Sequence, residues 1–531
     1  MSSGQGLAPG WETNASFMPD EPAAGPGRYS LFRYSPLLFL ALIIIADAAQ
    51  RSDPDLWGHL RFGQAILASG HFPATDIYSY TAAGARWTDH EWLCEVIMAF
   101  VYNHLGIIGL KLWKLLCVGA TIAFMAAGMA ETGASPSAQF NIMTIAAVAL
   151  MPQMQFRPQI FTFALFAALL ALLARDLYRR RAPLWLVIPM MALWANLHGG
   201  FIIGAATLAA YAGMTVISDP RGIAAGLARG LRLGGLTLAA LAATLVNPYG
   251  VGMWRAVINA LRNPMTRVAV NDWRPLGYVV MRQWRENHAS AVFFLCGIGL
   301  IAATVIVVAL TPRAGDLPLA AIAAIMCVAA IVAVRNLPLA IIACAAPLAR
   351  HAAALGGERN VAAPSRSEVN PWIISALALV LVLFTGVLSD RIRADMAYPA
   401  GAVRFMRQNS LRGNILNDFG WGEYLIWHLA PGSKVFIDGR YDTVYPYSLI
   451  DEYIAFSSNR ADAQKVIGGW PHDFVLIQPT AFPYSLMMKN SGWKLIYRDG
   501  GSALFARTGG PAARVKPQID AAAKPVIGYF P

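Results

Sequence analysis

The sequence predicts an α-helical polytopic membrane protein of about eleven transmembrane helices, followed by a small C-terminal α/β soluble domain. Three observations predict it. Of the 531 residues, 56% are hydrophobic and 14% charged, with a mean hydropathy of +0.47, which excludes an ordinary soluble protein and a disordered one. Apolar runs at or near the ~20 residues that span a bilayer recur as far as Leu388. After Asp390 charged residues return together with short strand-like runs. The net charge of +12 does not indicate a nucleic-acid partner, because the basic residues fall in short clusters between apolar runs, as cytoplasmic loops do. The five cysteines, Cys94, Cys117, Cys296, Cys327 and Cys344, all sit in apolar helical stretches without a CxxC pair. They read as small core residues rather than a disulfide framework or a thiolate metal site.

Residues 1–33 are rich in Gly, Pro and Ser, lack the apolar core of a cleavable signal peptide, and read as a disordered cytoplasmic tail ending in Arg28 and Arg33. Residues 34–389 form the transmembrane domain. Its apolar runs are Pro36–Ala49, Ile107–Ala130, Ser137–Met151, Ile160–Ala174, Leu184–Ala195, Phe201–Ile217, Leu231–Val246, Ala289–Leu310, Leu317–Val334, Leu337–Leu348 and Trp372–Leu388. Several are short for a span, which snorkelling flanks or local thinning accommodates. Trp92–Tyr102 either crosses or lies half-buried at the surface, and Lys111 and Lys114 sit awkwardly inside the next run.

The positive-inside rule places the basic clusters Arg28/Arg33, Arg175–Arg181, Arg221–Arg232, Arg313 and Arg350–Arg366 in the cytoplasm. Parity then sends the first loop, residues 50–91, to the far side, with Gln153–Gln159, Asn196–Gly200, Asn247–His288, Arg335–Asn336 and the chain after Asp390. The same sorting brings nearly every polar, aromatic and Pro/Gly-rich cluster to one face. Residues 390–510 are large enough for a core of their own, with strands expected at Lys434–Ile437, Phe474–Ile477, Lys494–Tyr497 and Ala503–Ala506. Residues 511–531, rich in Ala, Pro and Lys, read as a flexible tail.

The chemistry is concentrated in the first loop. Ionisable groups at a membrane mouth are costly unless solvated, paired or used, and this stretch gathers Asp53, Asp55, His59, Asp76, Asp89, His90 and Glu91. Asp53 or Asp55 suits a general base or a metal ligand, while Asp53 followed by Pro54 equally suits the cap of a helix starting near Leu56. His59 lies one helical turn after Asp55, so the two can share a face. Asp76 reads as a loop anchor. Asp89, His90 and Glu91, between Trp87 and Trp92, either form an aromatic belt with an N-cap or contact sugar hydroxyls or metal.

On the same side, Arg157 and Arg335 suit a phosphate or pyrophosphate head group, because a guanidinium binds two oxygens and stays charged. Asn196 and His198 stand at a glycine-interrupted interhelical turn that does not itself require them. Asp272 lies in a long far-side loop with an expected amphipathic helix, Met253–Arg262. In the soluble domain, Asn417–Tyr424 and Val435–Asp442 combine aromatics, acids and Gly turns, which suits either carbohydrate contact or strand-end turns.

Taken together, Asp53-Pro-Asp55 after the first span, His59, the loop to Trp87–Trp92 and Arg157 make the chain resemble the GT-C superfamily of integral-membrane glycosyltransferases, over roughly Pro36 to Leu388. The resemblance implies a GT-C-like membrane domain and a far-side C-terminal domain. It also implies an inverting transferase that uses a polyprenyl-phosphate or polyprenyl-diphosphate sugar donor. The acidic centre in the first external loop maps to Asp53 with Asp55 beside it, and a second carboxylate is sought among Asp89, Glu91 and Asp272. A divalent cation, Mg or Mn, is left open, with Asp53 and Asp55 as its ligands if one is used. The acceptor is expected to be a lipid, glycan or protein at the periplasmic face of the bacterial inner membrane. Competing readings are a surface-polysaccharide polymerase or ligase, a transporter or flippase of lipid-linked glycans, and an envelope scaffold with a decayed site. A transporter is expected to carry ionisable groups in mid-helix rather than in loops on one side.

Overall fold

The structure, a computed structural model, describes residues 52–219, 221–263, 271–355, 391–394, 396–458, 460, 463–525 and 529–531. The tail 1–33 and the expected runs Pro36–Ala49 and Trp372–Leu388 lie outside the described residues. Each of the nine remaining apolar runs forms helix. The helices are α1 (Leu56–Ser69), α2 (Trp92–Ala130), α3 (Pro136–Leu150), α4 (Gln159–Arg179), α5 (Val187–Leu197), α6 (Phe201–Ser218), α7 (Ile223–Ala243), α8 (Val251–Arg262), α9 (Leu276–Glu286), α10 (His288–Leu310), α11 (Leu317–Val332) and α12 (Leu337–Leu355). Five segments are long and apolar enough to cross a membrane alone: Trp92–Ala130, Gln159–Arg179, Phe201–Ser218, Ser290–Leu310 and Ala314–Val332. The expected total of about eleven is not reached among the described residues. The expected amphipathic helix Met253–Arg262 is present as α8, and α9 is a second of the same kind.

The arrangement of residues 92–130 settles at Gly106, whose φ of 60° and ψ of −146° interrupt the helix. A side chain at such a φ is strained, and glycine takes it freely. Before the break about 14 residues rise only ~21 Å, short of a ~30 Å hydrocarbon core, and they pack along α1. After it the helix is long enough to cross. Lys114, fully buried in that half, holds its ammonium 4.8 Å from the Phe156 ring centroid, which explains how a lysine is accommodated there. At the other end of the bundle, in the expected cytoplasmic cluster, Asp176 pairs with Arg229 and accepts the Tyr211 hydroxyl at 2.8 Å.

The C-terminal region is an α/β domain whose six-stranded sheet has the order β3-β2-β4-β6-β5-β7. The strands are β2 (Gly413–Asn417), β3 (Ser433–Val435), β4 (Phe474–Ile477), β5 (Trp493–Arg498), β6 (Ala503–Arg507) and β7 (Gln518–Ile519). β2 pairs parallel with both β3 and β4, while β6 runs antiparallel between β4 and β5. Parallel neighbours need crossover helices, and Gly422–Leu429 and Tyr447–Ser457 lie in those connections. The carboxyl ends of β2 and β3 therefore point the same way, the end at which open α/β sheets bind ligands. Residues 511–531 are not a loose tail throughout. Gln518–Ile519 adds to the sheet beside Tyr497–Arg498, and β8 (Tyr529–Phe530) pairs antiparallel with β1 (Ile392–Arg393).

The C-terminal domain docks on the first loop. Ser79 bridges to Val435 at the sheet edge, and Ser52 bridges to Ala394. Trp57 of α1, 1% exposed, meets the rings of Tyr398, Tyr424 and Phe530 at 4.4, 5.5 and 5.1 Å. Close approach of α1 to the first half of α2 depends on Gly63, where a Cβ would stand 2.1 Å from the Glu95 carbonyl oxygen. Gly63→Ala is expected to destabilise the folded protein by roughly 1–3 kcal/mol and lower its melting temperature in detergent. Gly119→Ala, where a Cβ meets nothing within 4 Å, should leave it unchanged or raise it slightly. Equal effects of the two would contradict this packing.

Candidate active site

A cavity of about 340 Å³ opens between α1, the start of α2, the turns that carry Arg157, His198, Asp272 and Arg335, and the loops after β2 and β3. Of the sequence-predicted site residues, Asp55, His59, Asp89, His90, Glu91, Arg157, His198, Asp272 and Arg335 line it. Asp53 stands directly behind the wall, and Asn196 does not reach it.

Arg157 organises one side. Its Nε lies 2.6 Å from Asp53 Oδ2, its Nη2 3.1 Å from Asp55 Oδ2 and its Nη1 2.9 Å from Asp272 Oδ2. The Nη1 contact to Asp272 has hydrogen-bond geometry, while Asp53 and Asp55 approach the guanidinium as ion pairs. Burial opposes its charge, but the three carboxylates outweigh burial and hold it firmly protonated. One cation does not neutralise three anions. Burial accordingly pushes the Asp53 carboxyl up to about 7 against the pull of Arg157. It raises Asp55 as well, with Glu91 and Asp272 adding to the effect.

The two first-loop aspartates play different parts. Asp53 is 5% exposed; its Oδ1 accepts the Asp55 backbone N–H at 2.9 Å while its other oxygen faces Arg157. The Asp55 side chain is 31% exposed and looks into the cavity. The expectation that Asp53 caps the helix is not met. The first turn of α1 instead donates the Gly58 N–H to Glu423 Oε2 at 3.1 Å, from the C-terminal domain. Helix N-termini leave such donors without partners and attract carboxylates, and a Cβ at Gly58 would stand 2.0 Å from that oxygen.

On the other side three imidazoles surround Glu91. His198 Nε2 is 3.4 Å and His90 Nε2 3.6 Å from its Oε1, and His59 Nδ1 is 3.9 Å from its Oε2. The expected His59–Asp55 side-chain pair does not form. The turn of helix links them only through the His59 N–H to the Asp55 carbonyl at 3.0 Å, and His59 Nδ1 turns to Glu95 Oε1 at 3.0 Å. Burial lowers His59 to about 4 and His198 well below its usual range, so both rings are neutral at pH 7. His198 Nδ1 accepts the Gly200 N–H at 2.9 Å and meets the Thr162 hydroxyl at 2.8 Å, which leaves the ring proton on Nε2, toward Glu91. Asp89 anchors its own turn by accepting the Glu91 N–H at 3.1 Å.

Asn196 is structural. Its Oδ1 accepts the Trp92 indole N–H at 3.1 Å, and its amide donates to the Ala192 and Val246 carbonyls at 2.8 Å each. Asp76 is the loop anchor that its setting predicts, accepting the Tyr78 and Ser79 N–H groups at 3.0 and 3.1 Å. It also binds Arg440 Nη1 at 2.6 Å. Arg335 lies with its guanidinium carbon 4.2 Å from the Trp273 ring centroid, so stacking presents it at the cavity.

Sequence reasoning missed Glu95, Glu423 and Arg440 as cavity residues. Glu95 announces itself as an acid one helical turn after Glu91 in an otherwise apolar run. Glu423 and Arg440 belong to motifs that stand out in the sequence, and only the docking of the domain shows where they point. Arg440 is held by Asp438 at 2.9 and 2.7 Å and by Asp76, against the rings of Trp87, Phe62 and Tyr78. As for a metal, Asp53 and Asp55 do not fit the expected cation set, because the Arg157 guanidinium binds both. The described group whose ligand atoms converge is His59, Glu91 and Glu95, all within 4.8 Å of one another.

Removing one partner of a buried ion pair strands the other. Arg157→Met is expected to cost about 3–5 kcal/mol of stability, and adding Asp53→Asn to that variant should recover part of the loss. Strict additivity in a denaturation double-mutant cycle would show that the two side chains are not coupled.

No family model and no curated protein sequence matches the chain. Similarity lies in solved structures. The apo oligosaccharyltransferase of Archaeoglobus fulgidus superposes with a TM-score of 0.54 at 12% identity, over 85% of this chain and 70% of that one. The archaeal oligosaccharyltransferase AglB from the same organism, in complex with an inhibitory peptide and a dolichol-phosphate, gives 0.53 at 13% identity, over 84% and 69%. ArnT from Cupriavidus metallidurans, bound to undecaprenyl phosphate, gives 0.47 at 14% identity, over 90% and 97%. The likeness is one of fold: over most of its length the chain shares the architecture of the two archaeal oligosaccharyltransferase structures.

Proposed function

We propose that this chain is an inverting membrane glycosyltransferase. Its donor is a polyprenyl-phosphate or polyprenyl-diphosphate sugar, and its acceptor a lipid, glycan or protein at the periplasmic face of the bacterial inner membrane. The observation that carries the reading is the cavity itself. It lies where the apolar helices meet the C-terminal domain, and it sets an accessible carboxylate, Asp55, in the same chamber as a stacked guanidinium, Arg335. The comparison with AglB, whose structure holds a dolichol-phosphate and a peptide, supports a lipid-phosphate donor and a separate acceptor.

In this reading Asp55 is the base. The acceptor's nucleophilic atom bonds to the sugar's anomeric carbon from the face opposite the phosphate, its proton passes to the Asp55 carboxylate, and the anomeric C–O bond breaks with its electron pair leaving on the lipid phosphate. Arg157, committed to three carboxylates, does not bind the donor as the sequence suggests. It positions Asp55, and Asp53 positions Arg157. The donor phosphate falls to Arg335, whose planar fork suits two phosphate oxygens. Trp87, Phe419 and Tyr441 at the walls offer aromatic faces to a sugar ring. The ionisable groups that line the cavity gather at one mouth of the helical bundle, which favours chemistry over transport.

Asp55→Asn is expected to reduce transfer from a labelled polyprenyl-phosphate sugar by about 10²- to 10⁴-fold in a protein that still folds; undiminished transfer would remove Asp55 from the mechanism. The pH profile follows from the raised carboxyls. A base works deprotonated, so kcat/KM should rise with pH through about 7, where burial places Asp53, since protonating either aspartate loosens the Arg157 clamp or consumes the base. A profile flat from pH 5 to 8 would contradict it. Arg335→Ala should raise the donor KM about tenfold or more while leaving kcat less affected.

A further inference from the structure

Two of the five cysteines meet. Cys327 of α11 and Cys344 of α12 bring their Sγ atoms to 3.6 Å across the packed faces of the two helices. Both are free thiols, 7% and 0% exposed respectively. The helical hairpin sets their matching depth. Cys327 stands five residues before the end of α11 and Cys344 seven residues after the start of α12, so both lie about 8–10 Å from the turn between the helices. That turn, Val334–Asn336, carries Arg335 to the cavity. The opposite face of α11, with Ile325, Val328 and Ile331, is exposed and apolar, and the helix is one of those long enough to cross a bilayer.

We propose that Cys327 and Cys344 are a modification site, a dithiol that hydrogen peroxide converts to a disulfide stapling α11 to α12 beneath Arg335. A disulfide holds its sulfurs at about 2.05 Å, so thiols already in contact have roughly 1.5 Å left to close. The oxidant is small, uncharged and able to enter from the bilayer side of α11. Cys327, the more exposed of the two, attacks first: its sulfur takes one peroxide oxygen, the O–O bond breaks, and a sulfenic acid and water result. The Cys344 sulfur then bonds to the Cys327 sulfur and displaces that hydroxyl, which leaves as a second water with the Cys344 proton. Two thiols are thereby oxidised to one disulfide, and one peroxide is reduced to two waters. Tied at this depth, the hairpin opens less readily around its turn. The site goes beyond the transferase reading; only a consequence for donor binding at Arg335 rests on that reading.

The test counts thiols rather than product. Full-length protein purified in detergent under reducing conditions is freed of reductant, treated with hydrogen peroxide, denatured and labelled with N-ethylmaleimide. Reduced wild type should take five labels, one for each cysteine of the sequence, and the oxidised protein two fewer, with a disulfide-linked peptide pair joining residues 327 and 344 in tandem mass spectrometry. Five labels after oxidation, or a linkage between any other pair, overturns the proposal. In Cys344→Ser the sulfenic acid has no partner, so dimedone should trap it on Cys327; no adduct there overturns the assignment of Cys327 as the attacking thiol. Hydrogen exchange of wild type over residues 333–336 should be slower oxidised than reduced, and equal rates would overturn the staple's hold on the Arg335 turn.

Discussion

The site depends on how buried charge is balanced beside a membrane. Among the described residues, Arg157 is the ion-pair partner that Asp53, Asp55 and Asp272 share. Its planar head turns what would be three mutually repelling carboxylates into a fixed triangle. Lysine, a point charge on a flexible stem, does not reproduce that triangle. Burial, which the single guanidinium only partly offsets, raises the carboxyls of Asp53 and Asp55. A carboxylate fully satisfied by cations is a poor base; one short of partners holds a proton more readily. Burial likewise raises the carboxyls of Glu91 and Glu95, whose nearest basic neighbours are the imidazoles of His59, His90 and His198.

The C-terminal domain completes the chamber rather than hanging beside it. Glu423 supplies the cap that α1 does not provide for itself, across 365 residues of sequence. Arg440 locks Asp76 of the first loop to Asp438 of the domain, within an aromatic box drawn from α1 and that loop. Residues from both halves of the chain thus share one wall, so the shape of the cavity depends on the docking. The turns after β2 and β3 are carried to it by the parallel arrangement of those strands. In the proposed transferase, an acceptor approaching Asp55 would pass surfaces of the C-terminal domain.

Much of this was legible before the structure. Apolar runs dictate helices wherever they are long, and nine of the expected runs are helical because backbone groups in lipid have to be satisfied within the segment. Charge bias gathered the polar loops on one face, and nine predicted residues do line one cavity. Local rules failed where distant contacts decide. Asp53-Pro54 reads as a cap, yet the capping carboxylate comes from Glu423. His59 is one turn from Asp55, yet it turns to Glu95 because α2 packs against α1 at Gly63. Asn196 looks like a ligand because it sits at a glycine turn, but Trp92 and two carbonyls use all of its polarity. Gly106, a single residue in a long apolar stretch, divides what hydropathy alone treats ambiguously. The C-terminal strand pairings of residues 518–519 and 529–530 escape notice because two-residue strands carry no periodic signal.

A structure of the protein with a bound polyprenyl phosphate tests the central claim most directly. The account predicts phosphate density inside the cavity against the Arg335 guanidinium, with the Asp55 carboxylate facing the position of the sugar and Arg157 still holding Asp53 and Asp272. Phosphate bound outside the cavity, or bound to Arg157 with its carboxylate partners released, would contradict it.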